Sequence, residues 1–341
     1  MKKLFLVVLL VALFVFTSCN SEEPVTKATP LTIELLNVGT ITISNPPSTG
    51  MWYSINGGDL KEVTAEPIKA KTGTRISLYA NGTENSYEKA VQEEQWLNID
   101  CSADFYVYGN VMSLIDAENF ENLVEVPEYA FYGLFSPVPL YNYYYGAPNY
   151  NSHLHNHDSK DLLLPATNLA DSCYEYMFLG CINLTQAPEL PATTLADECY
   201  EYMFKGCTSL TQAPELPATT LADYCYYGMF EGCTSLTRAP KLSATTLVRD
   251  CYAWMFNYCT KLESLTCLAT TAPTNNDYTE DWLVGAGKDV EGKKPIFYHA
   301  TSEDWDPNDE QHAQKDEEGF LRYYGIPEGW EQKNISEKPQ Q

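Results

Sequence analysis

The sequence predicts an α+β repeat solenoid with a small antiparallel β domain at its N-terminal end. Two observations predict it. A block of 26 residues recurs four times in succession from Leu164 to Cys267. Ahead of it, short runs alternate apolar and polar side chains between turn residues. Leu190 to Glu215 reads LPATTLADECYEYMFKGCTSLTQAPE, and Leu216 to Lys241 reads LPATTLADYCYYGMFEGCTSLTRAPK. The two copies differ at six of 26 positions. Inside a unit, Leu195, Cys199, Met203 and Cys207 fall four residues apart. That spacing predicts one stripe of a helix or of helical turns, and Gly206 ends it. Leu210 and Ala213, with Leu216 opening the next unit, predict a short strand that Pro214 and Pro217 keep from lengthening. A unit with a single apolar face needs neighbours stacked on it, which makes the array quasi-one-dimensional.

The stretch Phe204-Lys205-Gly206-Cys207-Thr208-Ser209-Leu210 has the form Phe-x-Gly-Cys-x-x-Leu. It recurs at Phe178-Leu179-Gly180-Cys181, at Phe230-Glu231-Gly232-Cys233 and, with Tyr in place of Gly, at Phe256-Asn257-Tyr258-Cys259. This motif resembles the hallmark of BspA-like leucine-rich repeats, a family of bacterial and protist surface proteins, several of which bind host proteins or other cells. The resemblance implies a leucine-rich-repeat fold built from these 26-residue units. The unit is longer than the usual repeat of that family, and Leu-Ala-Asp-x-Cys-Tyr replaces its common Ile-Gly-x-x-Ala stretch. Phe131-Tyr132-Gly133-Leu134-Phe135 reads as a degraded copy, so the expected solenoid spans 111–272. An insertion at 140–160, rich in Tyr and carrying His153, His155 and His157, is expected as a loop on one face.

Residues 30–110 predict a small β-sandwich-like domain from Leu31-Thr-Ile33-Glu-Leu35, Ile41-Thr-Ile43, Ile76-Ser-Leu78 and Phe105-Tyr-Val107-Tyr. Asn56-Gly57-Gly58-Asp59 is the expected hairpin turn. At the other end, 273–332, with Trp282, Trp305 and Trp330, is expected to cap the open end of the stack, and 333–341 to be a disordered tail. The N-terminus reads Met1-Lys2-Lys3, an apolar run from Leu4 to Phe16, then Thr17-Ser18-Cys19. It resembles a bacterial lipoprotein signal. Residues 1–18 would then be removed and Cys19 would carry the lipid. Residues 19–29, with Glu22 and Glu23, would form a tether, placing the protein on the outer membrane at the cell surface, held to that membrane by the lipid anchor.

Composition narrows the partners. With 46 acidic against 21 basic side chains, the net charge of −25 repels phosphate backbones and excludes sequence-independent nucleic-acid binding. No Gly-x-Ser-x-Gly, phosphate loop or dinucleotide fingerprint occurs. Repeated segments also supply no unique nucleophile–base pair, so neither a catalytic residue nor a cofactor is expected. Eight cysteines form two repeat columns: Cys173, Cys199, Cys225 and Cys251, and Cys181, Cys207, Cys233 and Cys259. On helical spacing they stand too far apart for disulfides and are expected as buried structural thiols. No metal ligand is assigned. The histidine cluster belongs to a loop, and Asp304, Asp306, Asn308 and Glu310 lack the glycine of a calcium loop.

Side chains between buried strand positions are the expected contact face: Thr211, Gln212 and Glu215 in one unit, and Thr237, Arg238 and Lys241 in the next. Among the six differences between the two copies, Gln212/Arg238 and Glu215/Lys241 turn one stretch basic. Tyr143, Tyr144 and Tyr145 are the expected aromatic contacts. The function expected is adhesion to a protein partner, host or other cell-surface, with capture of a surface glycan as the alternative.

Overall fold

The computed structural model describes residues 28–93, 95–137, 150–270, 277–302, 304–308, 313–315 and 321–339. The signal segment, Cys19, and Tyr143, Tyr144 and Tyr145 lie outside these residues.

The alternating runs form strands β1 (Thr32–Leu35), β2 (Gly39–Ser44), β3 (Met51–Ile55), β4 (Leu60–Glu62), β5 (Ile68–Ala70), β6 (Arg75–Ala80), β7 (Asn98–Cys101) and β8 (Phe105–Asn110). They pair antiparallel in the orders β8-β1-β6-β3-β4 and β5-β2-β7. Alternation with period two sends Ile33, Leu35, Ile41, Ile43, Ile76, Leu78, Phe105 and Val107 into a shared core, with polar neighbours outward. Asn56 and Gly57, both at positive φ (51° and 76°), turn β3 into β4 as a hairpin turn requires.

Of the insertion expected at 140–160, residues 140–149 lie outside the described residues, and the described part is not all loop, because it contributes a strand. β9 (Leu154–Asn156) and β10 (Leu162–Leu163) both pair parallel with β8, at Phe105–Val107 and at Gly109–Asn110. The open edge of β8 presents unpaired backbone groups, and residues 153–163 pair with it; Phe105 N donates to His153 O and Gly109 N to Asp161 O. Further along, Trp96 Nε1 and Asn98 Nδ2 both donate to Gly133 O, at 3.2 and 2.8 Å. The β domain therefore covers the first turn of the repeat region directly.

The repeats do not form an α+β repeat solenoid. Among the described residues there is no α-helix, only short 3-10 turns and one π turn, and the ordered elements are several small sheets. The segment read as helical is a run of tight turns. Within one coil Glu175, Met177, Leu179 and Cys181 N donate to the carbonyl three residues back. Ser172, Tyr176 and Gly180 take positive φ, which an α-helix of L residues does not allow. The alternate amides of Ser172, Tyr174, Tyr176, Phe178 and Gly180 bond to Asp197, Cys199, Glu201, Met203 and Lys205 O of the next coil. The same pattern recurs from Glu198 to Gly206 onto Asp223 to Glu231. Each left-handed non-glycine residue costs about 1–2 kcal/mol; the inter-coil bonds and the stacked side chains offset it.

A spacing of four residues is common to both structures. In an α-helix the stripe rotates by about 40° at every four-residue step, whereas in these turns it does not drift. Adjacent pairs therefore stay buried together, Cys199 with Tyr200 and Met203 with Phe204.

The coils stack by side-chain ladders. Phe135, Phe178, Phe204, Phe230 and Phe256 lie ring over ring at 5.5–5.7 Å. Phe131, Tyr174, Tyr200, Tyr226 and Tyr252 form a second column at 5.4–6.1 Å. All ten described cysteines are buried free thiols. Cys207, Cys233 and Cys259 Sγ donate to Phe178, Phe204 and Phe230 O of the preceding coil at 3.1–3.2 Å. Burial pushes these thiols far above the ordinary range, so they stay protonated and inert. The native chain from residue 20 is therefore expected to show none of its ten thiols to a disulfide reagent within minutes, and all ten in denaturant. Stoichiometric reaction of the native protein would refute the burial.

The strand halves of the last repeats form a parallel sheet. β11 (Arg238–Leu242) pairs with β12 (Ser264–Cys267), and β12 with β13 (Ile296–His299). The short strands β14 (Pro307–Asn308), β15 (Gln314–Lys315), β16 (Leu321–Arg322) and β17 (Ile326–Pro327) follow, and β18 (Glu331–Asn334) completes the sheet against β13. The C-terminal segment contributes a further coil as well as a cover: Phe256 N donates to Trp282 O and Tyr258 N to Val284 O. Trp282 Nε1 donates to Gly325 O at 2.8 Å and stacks on Trp305. The tail expected to be disordered is ordered through Pro339. Asn334 caps the turn Ile335–Glu337 through a capping box, and Lys338 Nζ bonds Thr266 Oγ1 at 2.8 Å.

Candidate functional site

The basic residues of the predicted contact face, Arg238 and Lys241, lie on one strand, β11, and the parallel pairing sets each against its neighbours. Gln212 bridges to Arg238, Arg238 pairs with Ser264, and Lys241 pairs with Thr266. Thr211, Gln212, Glu215, Arg238 and Lys241 are exposed. Thr237 is half-buried because its amide and hydroxyl both donate to Thr211 O. The rungs continue beyond the repeats: Thr266 pairs with Tyr298 and Tyr298 with Lys333. Lys338 reaches back across the Tyr298 ring, 5.4 Å from its centroid. Burial and the neighbouring Lys241 charge hold the Lys338 ammonium below the usual lysine range, while Glu215 works against them.

Lys333, Lys338, Thr266 and Tyr298 escaped the sequence reading. The intervals Lys241–Thr266, Thr266–Tyr298 and Tyr298–Lys333 lengthen from one strand to the next, so comparison at a fixed period does not align them. Cys267 is likewise shifted, pairing with Leu242 and not with Lys241.

The other four differences between the two best copies have an internal cause. Lys205 and Glu231, at equivalent positions in adjacent coils, form an ion pair at 2.8 Å. A Cβ at Gly228 would collide with the Tyr202 ring, so Tyr202 fills the space that glycine leaves in the following coil. Tyr227 meets Tyr202 edge-on at 5.2 Å. At the first variable position, Glu198 Oε2 accepts a bond from Ser172 Oγ at 2.9 Å, and Tyr224 holds Arg249 over its ring. Lys205/Glu231 and Tyr202/Gly228 complement each other across coils, while Glu198 and Tyr224 each meet a different neighbour. Only Gln212/Arg238 and Glu215/Lys241 vary on the open face.

On the turn side of the stack, acidic groups concentrate under partial burial. Burial and the Glu201 charge raise Glu175 well above the carboxylate range. Burial, then the Glu198 and Asp250 charges, raise Glu201 to about 8, against the pull of Lys205. The tyrosine column Tyr174, Tyr200, Tyr226 and Tyr252 is buried, which makes it a brace of the stack and removes it as a sugar platform.

A groove of about 520 Å³ opens where the insertion meets the first repeat. Leu162, Leu164, Pro165, Pro188 and Pro191 line it, together with Gln186 and Glu189, which stand one repeat before Gln212 and Glu215. Lys160 at the same junction is held by Glu34 at 3.2 Å and lies over the Tyr108 ring.

Two of the three histidines approach one Asp104 oxygen and the third turns away. His153 Nδ1 lies 2.9 Å from Asp104 Oδ1 and His155 Nε2 3.8 Å from it, while His157 packs on Tyr106 and Tyr108. Among the described residues no group of three or more His, Cys, Asp or Glu side chains is arranged to hold a metal ion. Asn308 Oδ1 is occupied by Gly325 N at 2.8 Å, and Asp304 lies 3.3 Å from His299 Nε2. No family model matches the chain, and no curated protein or solved structure matches it either.

Proposed function

We propose that the chain is a lipid-anchored cell-surface protein that binds a protein partner through the open face of its parallel strands and performs no catalysis. The signal-like N-terminus with Cys19 and the resemblance of the Phe-x-Gly-Cys-x-x-Leu motif to BspA-like surface proteins support the surface assignment. One observation carries the binding assignment. Between the two best copies the apolar frame is held and the other four variable positions are buried or half-buried against neighbouring coils, which leaves Gln212/Arg238 and Glu215/Lys241 as the fully exposed variation. A rigid frame presenting varied polar side chains gives a partner fixed spacing at low entropic cost.

The test is surface binding of the chain from residue 20 to a panel of host-matrix proteins, at low and high salt. Arg238→Glu with Lys241→Glu is expected to weaken binding about ten-fold at low salt and less at high salt, because exposed charges are screened beyond a Debye length. Unchanged affinity would overturn the assignment of this face. Capture of a polysaccharide panel that survives this change but disappears with Tyr143→Ala, Tyr144→Ala and Tyr145→Ala would establish the surface glycan in its place.

A further inference from the structure

The strand face ends in a concentration of positive charge on a chain of net charge −25. Arg238 and Lys241 stand on β11, Lys333 on β18, and Lys338 folds back from the tail between them to bond Thr266 of β12. Register puts Lys241, Thr266, Tyr298 and Lys333 on one rung of four neighbouring strands. At about 4.8 Å per strand, Lys241 and Lys333 are about 14 Å apart with Lys338 between them. Lys241 and Arg238 are exposed and Lys333 is partly so. Of the three donors on the Lys338 ammonium, one is used on Thr266 among the described residues. Gathering like charges is unfavourable, and burial with the Lys241 charge already holds Lys338 below its usual range. A bound carboxylate would relieve that repulsion.

Acids border the patch, among them Glu331, 3.2 Å from Lys333, and Glu215, whose charge acts on Lys338. A densely sulfated chain would be repelled by both. A peptide with spaced carboxylates would meet the lysines singly. We infer that the Arg238–Lys241–Lys333–Lys338 end of the strand face binds an extended acidic peptide segment of the partner. The inference rests on the binding face proposed above and names the chemistry of what that face takes.

The experiment uses fluorescein-labelled decapeptides alternating Glu with Ser, against Gln-with-Ser controls, read by anisotropy with the chain from residue 20. The glutamate peptide is expected to bind more tightly, and Lys333→Gln with Lys338→Gln to weaken it about ten-fold. Lys69→Gln with Lys71→Gln, which removes the same charge from the β domain, should leave affinity unchanged. Lys338→Arg should retain it, and Lys338→Gln alone, checked for an unaltered urea midpoint, should lose about half the effect on a logarithmic scale. Equal binding of the two peptides, or no loss in Lys338→Gln, would overturn the inference. So would a heparin fragment bound at least as tightly as the glutamate peptide. Peptide binding without capture of any matrix protein would defeat the proposed function and leave the patch. Matrix binding indifferent to Lys333 and Lys338 would do the reverse.

Discussion

Phe204→Ala is expected to destabilise the chain by about 3–5 kcal/mol, the cost of truncating a fully buried aromatic side chain. Phe204 has no exposed surface and stacks between Phe178 at 5.5 Å and Phe230 at 5.7 Å, nearly parallel to both. The coil above and the coil below are joined to its own by backbone bonds, from Phe178 N to Met203 O and from Phe204 N to Met229 O. They cannot close on a vacated ring without giving up those bonds, so the cavity persists and its full cost is felt. Marginal stability of roughly 5–15 kcal/mol for a domain makes such a loss severe. Tyr174→Phe, one column away, is the contrasting change. The Tyr174 hydroxyl is buried without a hydrogen-bond partner among the described residues, so its removal is expected to be neutral or to stabilise by about 1 kcal/mol. Urea midpoints of the two variants decide the matter. A loss below about 1 kcal/mol for Phe204→Ala would mean that the column is not the stack's main support.

The repeat register was legible because identity at fixed spacing survives whatever backbone the unit adopts. Strands β1, β2, β6 and β8 were legible for a similar reason, since alternation over even four residues separates two faces. The turn coil was not legible from the stripe Leu195, Cys199, Met203, Cys207, because helix and turn share a four-residue step over so short a stretch. What separates them in the sequence is the burial of consecutive residues, Cys199 with Tyr200 and then Met203 with Phe204; a helix turns neighbours about 100° apart. The acceptable left-handed residues give a second sign. Gly180, Gly206 and Gly232 fill such positions, but Tyr176, Tyr202 and Trp254 fill others, and nothing in an aromatic residue announces positive φ.

The candidate site was half legible. Arg238 and Lys241 lie inside the periodic region, where comparison of copies isolates them. Lys333 and Lys338 lie beyond it, in a polar C-terminal stretch whose composition argues for disorder. They are ordered by pairing with β13, a contact distant in sequence that no local pattern encodes, and by the local capping box from Asn334 to Glu337. The same limit applies to the variable positions. Lys205 and Glu231 look like surface variation until the stack places them 2.8 Å apart.

Stability is expected to fall as pH rises from about 4.5 to about 8. Glu175 and Glu201 carry the effect, because their carboxyls are raised in the folded chain by burial and by neighbouring acids. A carboxyl whose folded value lies above its unfolded value binds a proton more tightly in the native state. Its contribution is therefore complete below about 4.5, the ordinary value, and is lost as pH climbs to about 8, the value raised in Glu201. The groups facing Glu201 oppose a rescue: Glu198 and Asp250 repel the ionised form, and Lys205, the nearby cation, is already paired with Glu231. A shift of this size corresponds to a few kcal/mol for one isolated group, at about 1.4 kcal/mol per pH unit. Coupling with Glu175 distributes the loss over both residues. Acid limits the stable range from the other side, since Glu84, lowered to about 2 by the Ser48 and Thr49 bonds, loses its contribution as pH falls from about 4.5. Urea midpoints measured from about pH 5 to about pH 8 should decline, and Glu201→Gln should flatten the decline, since a neutral amide reproduces the protonated acid at every pH. Glu62→Gln, on the exposed strand β4, should leave the slope intact and so separates the buried pair from the general repulsion of an acidic surface. An equal slope in Glu201→Gln and the unaltered chain would place the titration elsewhere.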